Sequence, residues 1–480
     1  MSIDSLMILK PSIFWKYFSE ITTIPRCSRN LDAISDYVLD FAKSKSLVAK
    51  KDDAGNIVIY KPGSKPGVEP ILLQAHLDMV CEACPDSGKN MLFEPPVPYI
   101  DGDWVRAKDS TLGADDGVGF ALILAILASD FPHPDIEALL TVDEEIGLLG
   151  AHNFDASLVK SKRMLNIDSE DEGVFTISAA GGNETTGTIP VERIDTPSKT
   201  HAYAVVLTGL QGGHSGVKIH EGRANATILF SRLFHHLNTN ANISIGALNC
   251  GGIRSNVIAG HAEAIFVLNE KISAESVQVF TENIKREYVN VESNITITVK
   301  EIDPPKTVLT RESTQAIIHL IDMLPYGVIN YSKQFPEVVE SSVNIAQVKV
   351  ADELCTVITS QRSLFEHAID YYTEKTETAF RVLGGNVKTY ARYAAWPPQE
   401  KDDLVNHLLS VYKSLFPDRS SYSEVIHAGL ESGELLKKIP GLEVVSIGAD
   451  LEDVHSIRER VSISSIERTW RFLRTALEQL

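Results

Sequence analysis

Cysteine is scarce in this chain, and what there is falls into no obvious pairing. Cys27, Cys81, Cys84, Cys250 and Cys355 make an odd, scattered set across 480 residues. That spacing excludes the dense disulfide framework of a small secreted domain and fits a reducing compartment. Long apolar runs are missing too. The longest candidate, residues 119–128, is too short for a membrane span and reads as a buried helix. The opening segment, MSIDSLMILKPSIFWKYFSE, lacks a basic stretch followed by an apolar run and a small-residue cleavage site. The expectation is a cytoplasmic protein with no membrane partner. Positive charge is also in deficit, with 45 Lys and Arg against 64 Asp and Glu, a net of −19. Nucleic acids and anionic lipid surfaces need local positive potential, so neither is an expected partner.

What is present points to more than one domain, because 480 residues exceed the usual reach of a single hydrophobic core. Residues 70–75, 136–142 and 164–167 read as short buried strands, and residues 111–129 suit a helix. Alternation of this kind predicts an α/β layer with a mostly parallel sheet. From about Gly182 the texture changes. Strand-like segments at 185–189, 203–210 and 295–302 mix with helical patterns at 221–237, 310–324 and 363–383. That middle block reads as a separate α+β domain, without a repeat strong enough to prove a duplication. After about Tyr390 the α/β character returns, with helices over 403–415 and 466–480 and a strand over 442–447. One domain interrupted by another explains this order.

Several acidic and histidine residues stand where chemistry is expected. His76-Leu-Asp78 directly follows the strand ending at Ala75, and open α/β folds bind ligands beyond the carboxyl ends of their strands. Asp78 can orient the His76 ring through the nitrogen a metal leaves free. Gly113-Ala-Asp115-Asp116-Gly117 opens the next helix, where a carboxylate also serves as a plain cap. Asp143-Glu144-Glu145 follows a strand, and neighbouring glutamates can divide labour, one holding metal while the other moves a proton. Asn166-Ile-Asp168 ends another strand, and His455-Ser456 comes late in the chain. Each alone has a bland reading. Together they form a histidine–carboxylate set suited to zinc, with cobalt or manganese as substitutes, and to the two-ion arrangement recurrent in hydrolases.

The ordered motifs H-L-D, G-A-D-D-G, D-E-E-I-G-L-L-G-A, N-I-D, G-G-H-S-G and the late H-S resemble those of the zinc exopeptidase family that includes carnosinases, aminoacylases and glutamate carboxypeptidases. The segments L-Q-A-H-L-D-M-V and I-H-A-G-L-E-S-G narrow the resemblance to its aminoacyl-histidine dipeptidase branch. By that resemblance, two zinc ions are expected per subunit. His76 and Asp168 would hold one, Glu145 and His455 the other, with Asp115 bridging and the Asp115-Asp116 bond cis. Asp78 would orient His76, and Glu144 would act as the general base. The implied fold is a mixed, mostly parallel α/β catalytic domain over 1–182 and 392–480, interrupted by an α+β lid over 183–391 that also forms a homodimer. In the lid, His214 would donate to the oxyanion, and Asn256 and Arg362 would bind the substrate's C-terminal carboxylate; outside it, the loop with Gly429 would line the cleft. Ile457 stands where the family commonly has proline. Cys81-Glu-Ala-Cys84 lies outside the family pattern and reads as two ordinary thiols. The implied activity is hydrolysis of dipeptides with a free amine, Xaa-His included. An N-acyl-amino-acid deacylase is the alternative from the same family. A metal-dependent binding protein without catalysis is disfavoured by the complete ligand set and Glu144.

Overall fold

A computed structural model describes residues 3–65, 67–238, 242–398 and 403–480. The chain divides into two compact units. The first comprises Met1–Ala179, Trp396–Val425 and Leu430–Leu480, and the second Ala180–Ala395 with Ile426–Gly429.

The first unit is built on an eight-stranded sheet. Its four central strands, Ile136–Thr141, Ile71–His76, Arg163–Ser169 and Glu443–Gly448, run parallel. The flanks are antiparallel: Val48–Lys51 and Ile57–Lys61 form a hairpin on one side, and Val174–Ala179 pairs Glu443–Gly448 on the other. The sheet is therefore mixed, with parallel pairing confined to its centre. Every residue of Ile71–His76 and Ile136–Thr141 is buried, which is why both are mostly apolar without alternation, their polar Gln74 and Glu137 being hydrogen-bonded.

The helix Ala114–Leu127 is apolar on all sides, and only Asp115 escapes burial, as expected of a helix inside a core rather than on its surface. It lies very close to the strand Arg163–Ser169. A Cβ on Gly119 would stand 2.1 Å from the Ile167 carbonyl oxygen, so only glycine permits this approach. Regular helical geometry is absent at Asp115 and Asp116, whose φ/ψ values are −84°/113° and −104°/45°. The bond joining them is cis. A separate four-stranded sheet, in the order Leu451–Glu452, Arg460–Ser462, Trp104–Ala107 and Pro98–Asp101, carries the loop that contains His455.

The second unit is wholly different in pairing. Its nine-stranded sheet is antiparallel at every described pairing, with Val339–Ala351, Leu354–Ser363 and Gly181–Pro190 as its long central strands. Helices Ala226–Asn238, Ala274–Glu287, Arg311–Met323 and Glu366–Val382 supply the remainder of this α+β unit. Two of them start at side-chain caps, Ser273 accepting from the Ser276 amide and Thr310 from the Ser313 amide. Its apolar core, including Phe230, Phe266, Ile345 and Phe380, is its own.

Cys27 and Cys81 form a disulfide, which corrects the reading of Cys81 as an ordinary thiol. Their segments meet because Cys27 pairs with Met79 in an isolated parallel bridge, which brings the two Cα atoms within 5.6 Å. Cys84 remains a free, half-buried thiol. None of the described helices is long and apolar enough to cross a membrane.

Candidate metal centre

Parallel strands deliver their carboxyl ends to one edge of a sheet, and here that edge gathers the histidine and acidic motifs. His76 closes the strand Ile71–His76, and residues 143–145 follow Ile136–Thr141. Asp168 lies at the end of Arg163–Ser169, while the loop with His455 comes after Glu443–Gly448. The His76 Nε2 is 3.1 Å from Asp115 Oδ1 and 3.5 Å from Asp168 Oδ1. The His455 Nε2 is 3.0 Å from Asp115 Oδ2 and 3.0 Å from Glu145 Oε2. Asp115 thus turns one oxygen to each imidazole. Two ligands of one tetrahedral zinc sit about 3.3 Å apart, given bonds of about 2.0–2.2 Å, so these spacings suit two adjoining ions that share Asp115. Glu144 comes within 4.0 Å of His76 through its Oε2. His76, Asp115 and Asp168 make one compact ligand group, and Asp115, Glu145 and His455 another.

The electrostatics favour a cation. Burial lifts Asp168 to about 6, and burial likewise lifts Glu144 well above the ordinary carboxylate range, with neighbouring carboxylates adding to both. Burial opposes a charged His76, but Asp168, Asp115 and Asp78 outweigh it and hold the ring's pKa high. His455 is raised to about 11 by its bonds to Asp115 and Glu145. Anionic groups crowded out of water need an added positive charge, which a divalent ion supplies. Glu145 Oε1 is buried with no hydrogen-bond partner, as a ligand oxygen awaiting an ion would be.

Asp78 does more than orient a ring. The nearest acceptor to His76 Nδ1 is the Asp78 carbonyl at 3.1 Å, with its carboxylate at 3.5 Å. That carboxylate accepts from the amides of Glu144 and Glu145 at 3.0 and 3.2 Å, and from Ser28 Oγ at 2.7 Å. It therefore fixes the backbone of both glutamates.

Other supporting residues drew no functional expectation from the sequence, although Glu431 lies within the I-H-A-G-L-E-S-G segment. Arg26, 2% exposed, donates to the carbonyls of Leu77, Asp78 and Gly113. Glu431, fully buried, accepts from Gln74 and Thr141 at 2.6 Å each. Gln74 in turn accepts from Asn166 at 2.6 Å, so a hydrogen-bonded chain runs behind the candidate ligands. Burial pushes Glu431 up to about 7. Arg26 lies in a loop and Glu431 opens the helix Glu431–Lys438, and neither shows this role locally, because its partners are remote in sequence.

The four remaining candidates all belong to the second unit. His214 pairs with Val257 in an isolated bridge, and its Nδ1 accepts from the amides of Gly216 and Val217. The exposed Asn256 adjoins it, its carbonyl taking the Ser215 amide at 2.8 Å. Arg362, 9% exposed, donates from Nη1 to the Tyr393 hydroxyl at 2.7 Å, while its Nε has no partner. Gly429 faces the same tyrosine, whose ring would stand 2.8 Å from an added Cβ. Asn256 and His214 are neighbours, and Arg362 and Gly429 meet through Tyr393.

Residues 72–479 match the peptidase family M20/M25/M40. The chain belongs to this family. As an M20 peptidase it is a hydrolase of peptide bonds that uses divalent metal. It is 32% identical, over 99% of each chain, to the cytosol non-specific dipeptidase of Escherichia coli K12. Its fold superposes on the aminoacylhistidine dipeptidase of Vibrio alginolyticus with a TM-score of 0.90, at 31% identity over 99% of this chain and 98% of that one. Human carnosine dipeptidase 1 shares the fold at a TM-score of 0.52 and 13% identity, covering 100% of this chain and 98% of the other.

Proposed function

We propose that this M20 peptidase is a dinuclear zinc dipeptidase that cleaves dipeptides with a free amine, Xaa-His among them. The observation that carries the reading is Asp115, with one carboxylate oxygen towards His76 and the other towards His455, beside Glu144. His76 and Asp168 would hold one ion and Glu145 and His455 the other, with Asp115 placed to serve both. Bound there, the ions supply fixed positive charge that polarises the scissile carbonyl and acidifies water. Glu144 takes the proton of the attacking water and returns it to the leaving amine. Its raised pKa is the direction such a shuttle needs near neutral pH. Asp78 keeps the Glu144 and Glu145 amides in register with the His76 ring.

In the second unit, Arg362 takes the substrate's C-terminal carboxylate through its planar fork, aided by Asn256. His214 donates to the oxyanion, and Gly429 lines the cleft. The full-length kinship to dipeptidases supports the substrate class, and the name of the Escherichia coli relative supports a cytoplasmic location. A homodimer formed through the second unit completes the proposal.

The test compares Ala-His with N-acetyl-histidine before and after stripping by a strong chelator. Ala-His should be cleaved, N-acetyl-histidine spared, and added zinc should restore what stripping removes. Full turnover in metal-free protein, or equal cleavage of both compounds, sinks the proposal.

A further inference from the structure

Glu459 is 3% exposed and sits four residues after His455 in the same loop. Its carboxylate collects four consecutive backbone amides. Oε2 accepts from Leu112 and Gly113 at 2.7 and 2.9 Å, and Oε1 from Ala114 and Asp115 at 2.6 and 3.2 Å. Four amides can converge on one carboxylate because Gly113 takes a left-handed φ of 73°, which folds the segment into a concave nest. A side chain at that position would also strike Met79 Sδ at 2.6 Å. From the other side of the arch, the buried Arg26 grips the Gly113 carbonyl together with those of Leu77 and Asp78.

An ordinary helix cap does not account for this. A cap satisfies the first amides of a helix. Here the amides belong to residues 112–115, and Asp115 and Asp116 are themselves not helical. What the carboxylate holds is the arch that presents Asp115. The loop carrying Glu459 is itself fixed at both ends by the pairing of Leu451–Glu452 with Arg460–Ser462, and inside by the Glu459 amide bonding Ser456 at 3.0 Å. One rigid loop therefore meets Asp115 twice. His455 faces its carboxylate at 3.0 Å and Glu459 binds its amide at 3.2 Å.

We infer that Glu459 is a positioning residue, which sets Asp115 as a bridge before metal arrives and ties the His455 side of the centre to the His76 side. The inference rests on the ligand assignment proposed above. Its consequence is a split between the two ions. The His76 ring keeps its bond to the Asp78 carbonyl wherever the late loop sits. The Glu145–His455 side depends on where the late loop sits relative to Asp115.

The experiment titrates stripped protein with Co2+, following visible absorption and heat, in the wild type and in Glu459→Gln. The glutamine keeps size but turns an N–H2 group towards amides that need acceptors. The wild type should take two ions. The variant should take one with affinity within about threefold of wild type and bind the second at least about tenfold more weakly, the scale seen when a support behind a ligand is removed. Unchanged binding of both ions overturns the inference, and so does equal weakening of both, which is what general loosening produces. Should the variant not fold, amide hydrogen exchange on stripped wild-type protein decides instead. The amides of residues 112–115 must stay protected without metal, and fast exchange there overturns the inference alone. No metal uptake by the wild type overturns the ligand assignment and this inference with it.

Discussion

The buried carboxylates of the first unit, Asp78, Asp116, Glu431 and Glu459 among them, crowd the ends of four parallel strands. The buried polar groups of the second unit's long strands are chiefly hydroxyls and amides. Thr185 bonds Gln361, Ser341 bonds Ser363, and Asn344 bonds the carbonyls of Ser255 and Val257. Neutral groups pair without needing a counter-charge, and even those left over, such as Asn344 Oδ1 and Asn183 Oδ1, carry no net charge. Carboxylates packed together out of water repel, and only an added cation or proton relieves them. The contrast separates a region built to hold ions from one built to hold a shape.

The sharpest way to break that contrast is Glu144→Gln. If Glu144 moves protons, turnover should fall by about 10²–10⁴-fold while bound metal, measured by elemental analysis, stays unchanged. Substantial turnover by this variant rejects the base assignment. Next comes metal removal itself. Loss of each ion held at a thousandfold excess over Kd should cost the first unit about 4 kcal/mol. Hydrogen exchange should then speed up in Ile71–His76 but not in His201–Thr208 of the second unit. Equal acceleration in both would show that metal does not distinguish them.

The smallest expected effect tests the second unit's one deeply buried imidazole. His427 bonds Ser342 at 2.7 Å, and burial, helped by the positive charge of Arg362, lowers it from 6.5 to about 3. His214 and His220 also face it and act in the same direction. Between those two values the unfolded chain binds a proton that the folded chain refuses. Stability from this site is therefore complete above pH 6.5 and drains away as pH falls, at about 1.4 kcal/mol per pH unit. His427→Gln should flatten that decline in urea denaturation measured from pH 7 to 4. An unaltered acid slope would show that the second unit's acid response lies elsewhere.

Much of the fold was legible because apolar runs and strand-to-helix alternation are local. The strand expected over 70–75 is Ile71–His76, and the helix expected over 403–415 is Asp403–Leu415. The helix expected from residue 111 begins at Ala114 and becomes regular only beyond Asp116, because Glu459 holds the preceding amides in an arch. That partner lies 345 residues from Ala114, and no window along the sequence spans such a distance. Cysteine misled for the same reason. Cys84 is near Cys81 in sequence, yet Cys27, 54 residues away, is the one across the bridge. The candidate ligands stood out because each lies in a recognisable motif, at or after a strand end or, for Asp115, at a helix start. Arg26 and Glu459 lie outside the quoted motifs, and Glu431, though inside one, acts through Gln74 and Thr141, remote partners that a motif does not record.

The first unit is written in two runs of chain, and the strand Glu443–Gly448 sits inside its sheet between Arg163–Ser169 and Val174–Ala179. Asp115 leaves the ribosome 340 residues ahead of His455. At about 5–20 residues per second, roughly 20–70 s of synthesis separate the two halves of the proposed centre. A growing chain carries an unfinished sheet and half a set of ligands throughout that interval. A product truncated before its last forty residues would lack His455 and Glu459 together. Under the proposed ligand assignment, peptide-cutting activity waits until the chain has been made as far as His455 and Glu459.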